Sequence, residues 1–178
     1  PIKHLKKVLF WWFRQSQILR NAKAVCFTTD EERRLARGTF RPYRCNEVVT
    51  GLGVAEPPSN ADAQTKAFFD KFPNLRDKRK LLFLGRIHRK KGIDLLLKAF
   101  EEVATADDHL VVAGPSEDGL FAEELSRTSS AFAERVTWAG MISGDLKWGA
   151  LRSADSLILP SHQENFGMVV PEALAVGT

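Results

Sequence analysis

The second half of the sequence alternates short apolar segments with amphipathic ones, and this alternation restricts the possible fold more than any other feature. Buried strands are predicted at residues 81–84, 110–113, 136–139 and 157–159. Glycine follows the first three of these strands, at Gly85, Gly114 and Gly140, and the pair Pro160-Ser161 follows the fourth. Glycine at these points lets the chain leave each strand in a tight turn.

The segments between the strands have helical periodicity. Residues 120–126 and 145–154 predict two helices, and an earlier helix has five apolar residues on one face: Ile93, Leu96, Leu97, Phe100 and Val103. Apolar strands separated by amphipathic helices indicate a parallel sheet covered by helices on both faces. The fold class predicted for residues 78–178 is therefore α/β, with a doubly wound, Rossmann-like sheet.

The first half of the sequence has a different pattern. It predicts a helix over residues 2–20, a strand at 24–28, a capped helix at 31–36 that stops at Gly38, and a strand at 47–50. A Pro-rich stretch follows, so we place the domain boundary near residues 51–60. The predicted division is a first domain over 1–54, a linker and lead-in over 55–77, and a second domain over 78–178.

The predicted helix at residues 2–20 is amphipathic, and two interpretations of it remain open. Its apolar positions recur at three- and four-residue spacing, and they are Leu5, Val8, Leu9, Trp12 and Leu19. Lysines and arginines fill much of the rest. A helix that faces a protein core with a solvated basic side has this pattern, and we favour that interpretation. A helix that contacts anionic lipid through residues 1–20 also has it.

Charge and composition exclude several classes of protein. Residues 1–54 hold 11 Lys and Arg against 4 Asp and Glu, whereas the remainder holds 15 against 18. The basic part suggests an anionic partner, but no zinc-finger spacing or RNA-binding aromatic motif accompanies it, so we expect no nucleic acid. No apolar run reaches 18 residues. The scattered histidines and two cysteines predict no metal site and reduced, buried or half-buried thiols.

The loop after the first predicted strand contains two cations. Arg86 and Lys91 flank this loop, which leads into a helix that starts near Gly92. In a parallel sheet, ligands bind beyond the carboxyl ends of the strands. Arginine and lysine at such a point suit a diphosphate, although a solvated basic loop would have the same composition.

The loop after the fourth predicted strand leads into a helix that begins close to Gly167 and ends at Gly177, because Pro171 is tolerated only near a helix start. The free N–H groups of that helix would provide an anion site beside the two cations. Glu164 and Glu172 lie on either side of the turn and could both face one crevice. Their carboxylates would accept hydrogen bonds from sugar or ribose hydroxyls, although each also suits an ordinary surface position.

Taken together, residues 78–178 resemble the donor domain of the retaining GT-B glycosyltransferases of the large GT4-type group (glycosyl transferases group 1). The matching pieces are Gly85-Arg86 with Lys91-Gly92, the glycines Gly114 and Gly140, and the E-x7-E pair Glu164/Glu172 around Phe166-Gly167. The resemblance also implies that residues 1–54 are the end of a second Rossmann-like domain, which binds the acceptor. The chain starts without methionine and lacks the family's N-terminal glycine-rich loop, so we expect a fragment that is inactive alone.

The resemblance implies a role for each matching residue. Arg86 and Lys91 would bind the donor pyrophosphate and stabilise the leaving diphosphate, with Glu164 on the transferred sugar; these three are the predicted catalytic residues. Glu172 would bind the ribose. The remaining donor-binding residues would be Gly85, Gly114, Trp138, Gly140, Met141, Ile142, Asn165, Phe166, Gly167 and Met168. Among them, residues 138–142 would hold the nucleobase.

The expected function is sugar transfer from a nucleotide-diphosphate-sugar to a glycan, lipid or small-molecule acceptor, without a metal or other cofactor. The expected location is the cytoplasm, with peripheral contact at the inner membrane face as an addition. Two alternatives have the same fold: a phosphorylase and a sugar-nucleotide hydrolase. A non-catalytic nucleotide-sugar or phosphate-binding module is the alternative from another class.

Overall fold

The computed structural model describes residues 2–39, 41–116 and 119–178 of the chain. It forms two compact units, of which the first ends at Gly53 and the second begins at Val54. Both contain parallel strands and helices, so the predicted α/β class is confirmed.

The first unit pairs two short parallel strands with helices. Its elements are α1 (Ile2–Phe10), a π-helical turn (Trp11–Gln15), α2 (Ser16–Asn21), β1 (Val25–Phe27), α3 (Asp30–Thr39) and β2 (Glu47–Val49). The start of α3 is capped in both directions. The Thr29 hydroxyl accepts a hydrogen bond from the Glu32 amide at 3.0 Å, and the Glu32 carboxylate accepts one from the Thr28 amide at 2.7 Å. The sequence had suggested that this helix stops at Gly38, but Gly38 lies inside α3.

Most of the apolar residues of the first helical segment are exposed. Leu5, Leu9 and Trp12 belong to the face expected to pack on a core, yet their exposed fractions are 60%, 48% and 59%. Trp11 is the buried residue of this segment instead, and its indole Nε1–H donates to the Pro42 carbonyl at 3.1 Å. In the described ranges, no helix combines the length and apolarity needed to cross a bilayer. Cys26 is also exposed rather than buried, and both cysteines are free thiols.

The second unit is a four-stranded parallel sheet with helices on both faces. Its elements are α4 (Ala61–Lys71), β3 (Arg79–Leu84), α5 (Ile93–Val103), β4 (Asp108–Ala113), α6 (Gly119–Thr128), β5 (Val136–Gly140), α7 (Gly144–Ser153), β6 (Ser156–Leu157) and α8 (Val169–Val176). The strand order across the sheet is β5-β4-β3-β6. The chain therefore runs outward from β3 to β5 and then returns to the other side of β3.

Alternate residues of each strand pack into two separate cores, as the pleat requires. Phe83 and Val112 belong to the core under α5 and α6, whereas Leu82 and Val111 belong to the core under α4, α7 and α8. Every residue of β4 is buried, which explains its uninterrupted apolar sequence after His109. The α5 face is shorter than predicted, because Val103 is 77% exposed.

Helix α4 replaces much of the stretch that the sequence had suggested was a linker. It packs against α7 at Gly149, where a Cβ atom would lie 2.0 Å from the Gln64 carbonyl oxygen. Gln64 is fully buried, and its Oε1 accepts a hydrogen bond from Arg152 Nε at 2.8 Å. The helix therefore belongs to the second unit, and only residues 55–60 of the expected linker precede it.

A buried carboxylate joins two strands at the amino end of the sheet. Asp108 is 1% exposed, and its Oδ2 accepts hydrogen bonds from Arg79 Nη2 at 2.8 Å and from the Thr105 amide at 2.7 Å. The hydrogen bonds from the Arg79 guanidinium, followed by the one from the Thr105 amide, hold the pKa of Asp108 well below its usual range. This pair fixes β3 to β4 at the end opposite the strand-exit loops.

Candidate functional site

A polar cleft opens where the strand order of the sheet reverses. Strands β3 and β6 are neighbours, although two other strands separate them in the sequence, and such a switch point is where ligands bind in doubly wound sheets. The cleft has a volume of about 430 Å³ and is lined by Arg86, His88, Lys90, Lys91, Gln163, Glu164 and Asn165. Four of these seven, Arg86, Lys91, Glu164 and Asn165, are residues that the sequence predicted for the site.

The loop after β3 is held to its neighbours through the backbone. The Ile87 amide donates to the Pro115 carbonyl at 2.8 Å, and the His88 ring accepts from the Lys90 amide at 3.1 Å. Gly92 then ends a short 3-10 turn with φ of +66°, and a Cβ atom there would lie 2.2 Å from the Pro160 carbonyl oxygen. Only glycine fits this position, because both its conformation and the space beside it exclude a side chain.

Two of the strand-exit glycines bring backbones close together. A Cβ atom on Gly114 would lie 1.8 Å from the Gly85 carbonyl oxygen. The Gly114 amide also donates to the Gly140 carbonyl at 2.8 Å. These glycines therefore set the spacing of the strand exits around the cleft, and none of the three is among the residues that line it.

The loops after β3 and β6 meet at an ion pair. Lys91 Nζ lies 2.5 Å from Glu164 Oε2, with exposed side-chain fractions of 16% and 31%. The Ser161 hydroxyl and the Asn165 amide each approach the same carboxylate at 3.3 Å. Burial raises the pKa of Glu164, but the hydrogen bond and charge of Lys91 outweigh burial, so the net pKa lies below its ordinary value.

The turn before α8 is formed by a glycine with a left-handed backbone. Gly167 has φ of +70°, and its position lies beside the Glu164 side chain, where an added Cβ atom would be 3.3 Å from Cγ. Met168 forms the N-cap of α8, and Pro171 occupies the first turn of the helix, as its sequence position predicts. Gly177 ends the helix with φ of +87°.

Glu172 lies in the first turn of α8 but does not line the cleft with Glu164. Its Oε2 is 2.6 Å from Lys147 Nζ on α7, and the exposed side-chain fractions are 18% for Glu172 and 27% for Lys147. The sequence suggested that both glutamates could face one crevice. In the structure the two glutamates form separate ion pairs instead, Glu164 with Lys91 and Glu172 with Lys147.

The residues expected to hold the nucleobase differ in their surroundings. The Ile142 side chain is 7% exposed and belongs to the core under α7, and Trp138 packs against the other core. Met141 is 74% exposed, Gly140 is also exposed, and Phe166 is half-buried. The Ile142 side chain is therefore a core residue, and of this stretch the Met141 side chain is the most accessible.

Sequence reasoning missed five residues that complete this region. His88, Lys90 and Gln163 line the cleft beside predicted residues, and Ser161 contacts Glu164. Their positions in the two strand-exit loops were the available signal. Lys147 had no such signal, because its contact with Glu172 depends on how α7 packs against α8.

Comparisons with known proteins identify the family of the chain. The family model for "Glycosyl transferases group 1" matches residues 64–178. D-inositol 3-phosphate glycosyltransferase of Rhodococcus jostii is 31% identical over 92% of this chain and 38% of its own length. An uncharacterized glycosyltransferase of Methanocaldococcus jannaschii is 30% identical over 74% of this chain and 34% of its own. The chain thus spans about a third of the length of these curated relatives.

A solved structure shares the fold of the chain. The Anabaena protein HepE, in complex with UDP, matches with a TM-score of 0.76 and 16% identity, over 92% of this chain and 45% of HepE. The family model covers well over half of the chain and includes every strand and loop that forms the cleft. The chain is a member of the glycosyl transferases group 1 family.

Proposed function

We propose that the whole protein transfers a sugar from a nucleotide-diphosphate-sugar to an acceptor, with retention of the anomeric configuration. One observation carries this proposal: the side chains of Arg86, Lys91 and Glu164 line a single cleft at the switch point of the sheet. Two cations and a carboxylate in one cleft match the two parts of such a donor, an anionic diphosphate and a neutral, hydroxyl-rich sugar.

The chemistry proposed for the cleft rests on where charge develops. When the bond between sugar and diphosphate breaks, negative charge grows on the departing phosphate oxygens. Arg86 and Lys91 would stabilise that charge, together with backbone N–H groups at the start of α8 near Gly167 and Met168. Glu164 would accept hydrogen bonds from the sugar hydroxyls, and its charge would favour the positive charge that develops on the sugar ring.

The donor is proposed to be a nucleoside diphosphate derivative, and the Anabaena neighbour in complex with UDP supports that class. The acceptor is proposed to be a glycan or a lipid-linked molecule. Transfer is proposed to need no divalent metal, because Arg86 and Lys91 already supply positive charge at the leaving group. Within the described ranges, His, Cys, Asp and Glu form no group of three or more that could hold a metal ion.

A peripheral contact between the first unit and an anionic membrane is also proposed, with a cytoplasmic location for the protein. The support is the exposed apolar side of residues 2–20, on which Phe10 and Phe13 are 58% and 66% exposed beside several lysines. The test is sedimentation of the whole protein with vesicles of phosphatidylglycerol and with vesicles of phosphatidylcholine. Phe13→Ser should reduce binding to the anionic vesicles; equal binding of both proteins, or none, would contradict the contact.

The proposed function is tested by binding and turnover of the whole protein. Calorimetry with UDP, GDP and ADP should identify one nucleoside diphosphate that binds in the micromolar range. The matching nucleotide-sugars should then yield a glycosylated product with an acceptor, and the product's anomeric configuration should equal that of the donor by NMR. Binding without transfer would favour the non-catalytic module. Release of free sugar or of sugar phosphate would favour the hydrolase or the phosphorylase.

A further inference from the structure

The carboxylate of Glu172 is held by a lysine from a different helix. Lys147 Nζ lies 2.6 Å from Glu172 Oε2, and both side chains are largely buried, with exposed fractions of 27% and 18%. The Lys147 ammonium also lies 5.1 Å from the centre of the Trp148 ring. Because both side chains are partly shielded from solvent, this ion pair has a more fixed geometry than an exposed surface pair.

The two helices that carry this pair are fixed by contacts on both sides. Helix α7 is pressed against α4 at Gly149, where the Gln64 carbonyl oxygen leaves no room for a Cβ atom. Beyond the end of α8, the Thr178 hydroxyl donates to the Leu151 carbonyl of α7 at 2.6 Å. The distance between Lys147 and Glu172 is therefore set by helix packing and does not depend on a flexible loop.

We propose that Lys147 is a positioning residue for Glu172 during donor binding. The proposal rests on the proposed function and on the role that the family resemblance implies for Glu172, which is to accept hydrogen bonds from the ribose of the donor. The Lys147 ammonium occupies Glu172 Oε2, which would leave Oε1 of the same carboxylate to accept hydrogen bonds from ribose hydroxyls. Fixing one rotamer before the ligand arrives lowers the entropic cost of binding.

The ribose contact gives this proposal a readout that a purely structural ion pair would not affect. A 2′-deoxyribonucleoside diphosphate lacks one of the hydroxyls that Glu172 would contact. If Lys147 acts through that contact, the effects of removing the lysine and of removing the hydroxyl should overlap rather than add. If Lys147 only stabilises the packing of α7 and α8, the two effects should be independent.

The experiment uses the whole protein and the diphosphate, among UDP, GDP and ADP, that binds the unmodified protein. Dissociation constants are measured by calorimetry for that ribonucleotide and its 2′-deoxy form, with the unmodified protein, Lys147→Met, Lys147→Arg and Lys66→Met. The last is a matched control, since Lys66 pairs with Asp70 on the exposed side of α4. Circular dichroism melts show whether each variant is folded.

The unmodified protein should bind the deoxy form about 10-fold more weakly than the ribonucleotide, which is the loss expected for one hydrogen bond to a charged group. Lys147→Met should weaken ribonucleotide binding by about 5- to 10-fold and reduce the preference for ribose to about twofold. Lys147→Arg should restore most of that preference, and Lys66→Met should leave it unchanged.

Two outcomes would overturn the proposal. One is a folded Lys147→Met protein with an unchanged preference for ribose, whatever its affinity. The other is loss of that preference in Lys66→Met as well. If the unmodified protein binds none of the three diphosphates, the proposed function itself fails, and this result is distinct from a change confined to Lys147.

Discussion

The ammonium of Lys91 lies 2.5 Å from the carboxylate of Glu164, across 73 positions of sequence, and closes one side of the cleft. A bound diphosphate would offer Lys91 a second anionic partner. The lysine would then share its charge between phosphate and carboxylate, and Glu164 would be left with more capacity to accept hydrogen bonds from sugar hydroxyls. Donor binding should therefore weaken the ion pair between Lys91 and Glu164.

Glu164→Gln should bind the bare nucleoside diphosphate more tightly and transfer sugar more slowly. The substitution removes a negative charge that repels the diphosphate and competes for Lys91, so we expect about a 3- to 10-fold lower dissociation constant. The value of kcat should fall, because the carboxylate helps the positively charged transition state. Calorimetry and initial rates provide both values. Glu101→Gln, at an exposed position of α5, is the control. Weaker nucleotide binding by Glu164→Gln than by the unmodified protein would contradict the argument.

Arg86→Ala and Lys91→Ala should each weaken donor binding and slow transfer. Each variant loses a charged contact to the diphosphate, a loss of about 1.5–3 kcal/mol, or roughly 10- to 150-fold in kcat/KM. The exposed Lys98 on α5 provides the comparison, since Lys98→Ala removes the same charge from the second unit away from the cleft. Kinetics of Arg86→Ala and Lys91→Ala that match those of Lys98→Ala would rule out the assignment of these cations to the diphosphate.

Gly92→Ala should destabilise the second unit and displace the cleft loop. The added methyl group would meet the Pro160 carbonyl at 2.2 Å, and the left-handed backbone of Gly92 disfavours any side chain. We expect a loss of about 1–3 kcal/mol in the free energy of unfolding, measured with urea. Gly119→Ala, which meets open space with an ordinary backbone, should change it little. Equal stability of the two variants would show that the loop adapts.

Asp108→Asn should reduce stability at neutral pH but much less in acid. The native pKa of Asp108 is lowered, so its stabilising contribution is complete above the unfolded-state pKa of about 3.9 and is lost as the pH falls below that value. Urea unfolding should therefore show a deficit of about 1–2 kcal/mol at pH 7 that narrows below pH 4. The exposed neighbour Asp107, changed to Asn, is the control. If the loss of stability in Asp108→Asn is the same at every pH, the ionised Asp108 carboxylate is not the source of the stabilisation.

Transfer should continue in EDTA. The two cleft cations provide positive charge where a metal ion would otherwise be needed, so the rate after dialysis against EDTA should equal the rate in excess magnesium. The assay is product formation from the nucleotide-sugar by the whole protein. Activity that disappears in EDTA and returns with manganese or magnesium would mean that Arg86 and Lys91 do not suffice.

Periodic and local features could be predicted from the sequence. The strands at residues 81–84, 110–113 and 136–139, the glycines at their exits and the start of α8 at the Gly167 turn follow from rules that act over a few residues. The fourth strand, predicted at 157–159, is shorter and lies at Ser156–Leu157. Contacts between distant segments could not. Nothing local indicates that α4 packs into the space beside Gly149, that Lys147 approaches Glu172, or that the Ile142 side chain enters the core. Nor does anything local indicate that Trp11 rather than Trp12 is buried, with its indole N–H on the carbonyl of the distant Pro42.

The two loops that form the cleft are joined at three points: Gly92 against the Pro160 carbonyl, the His162 amide on the Lys90 carbonyl at 2.9 Å, and Lys91 against Glu164. This has a consequence for changing donor specificity by exchanging segments between relatives. A graft of residues 85–92 alone would place a foreign backbone against an unchanged Pro160 and His162, and a graft of residues 158–168 alone would do the reverse. Residues 85–92 and 158–168 should therefore be exchanged together.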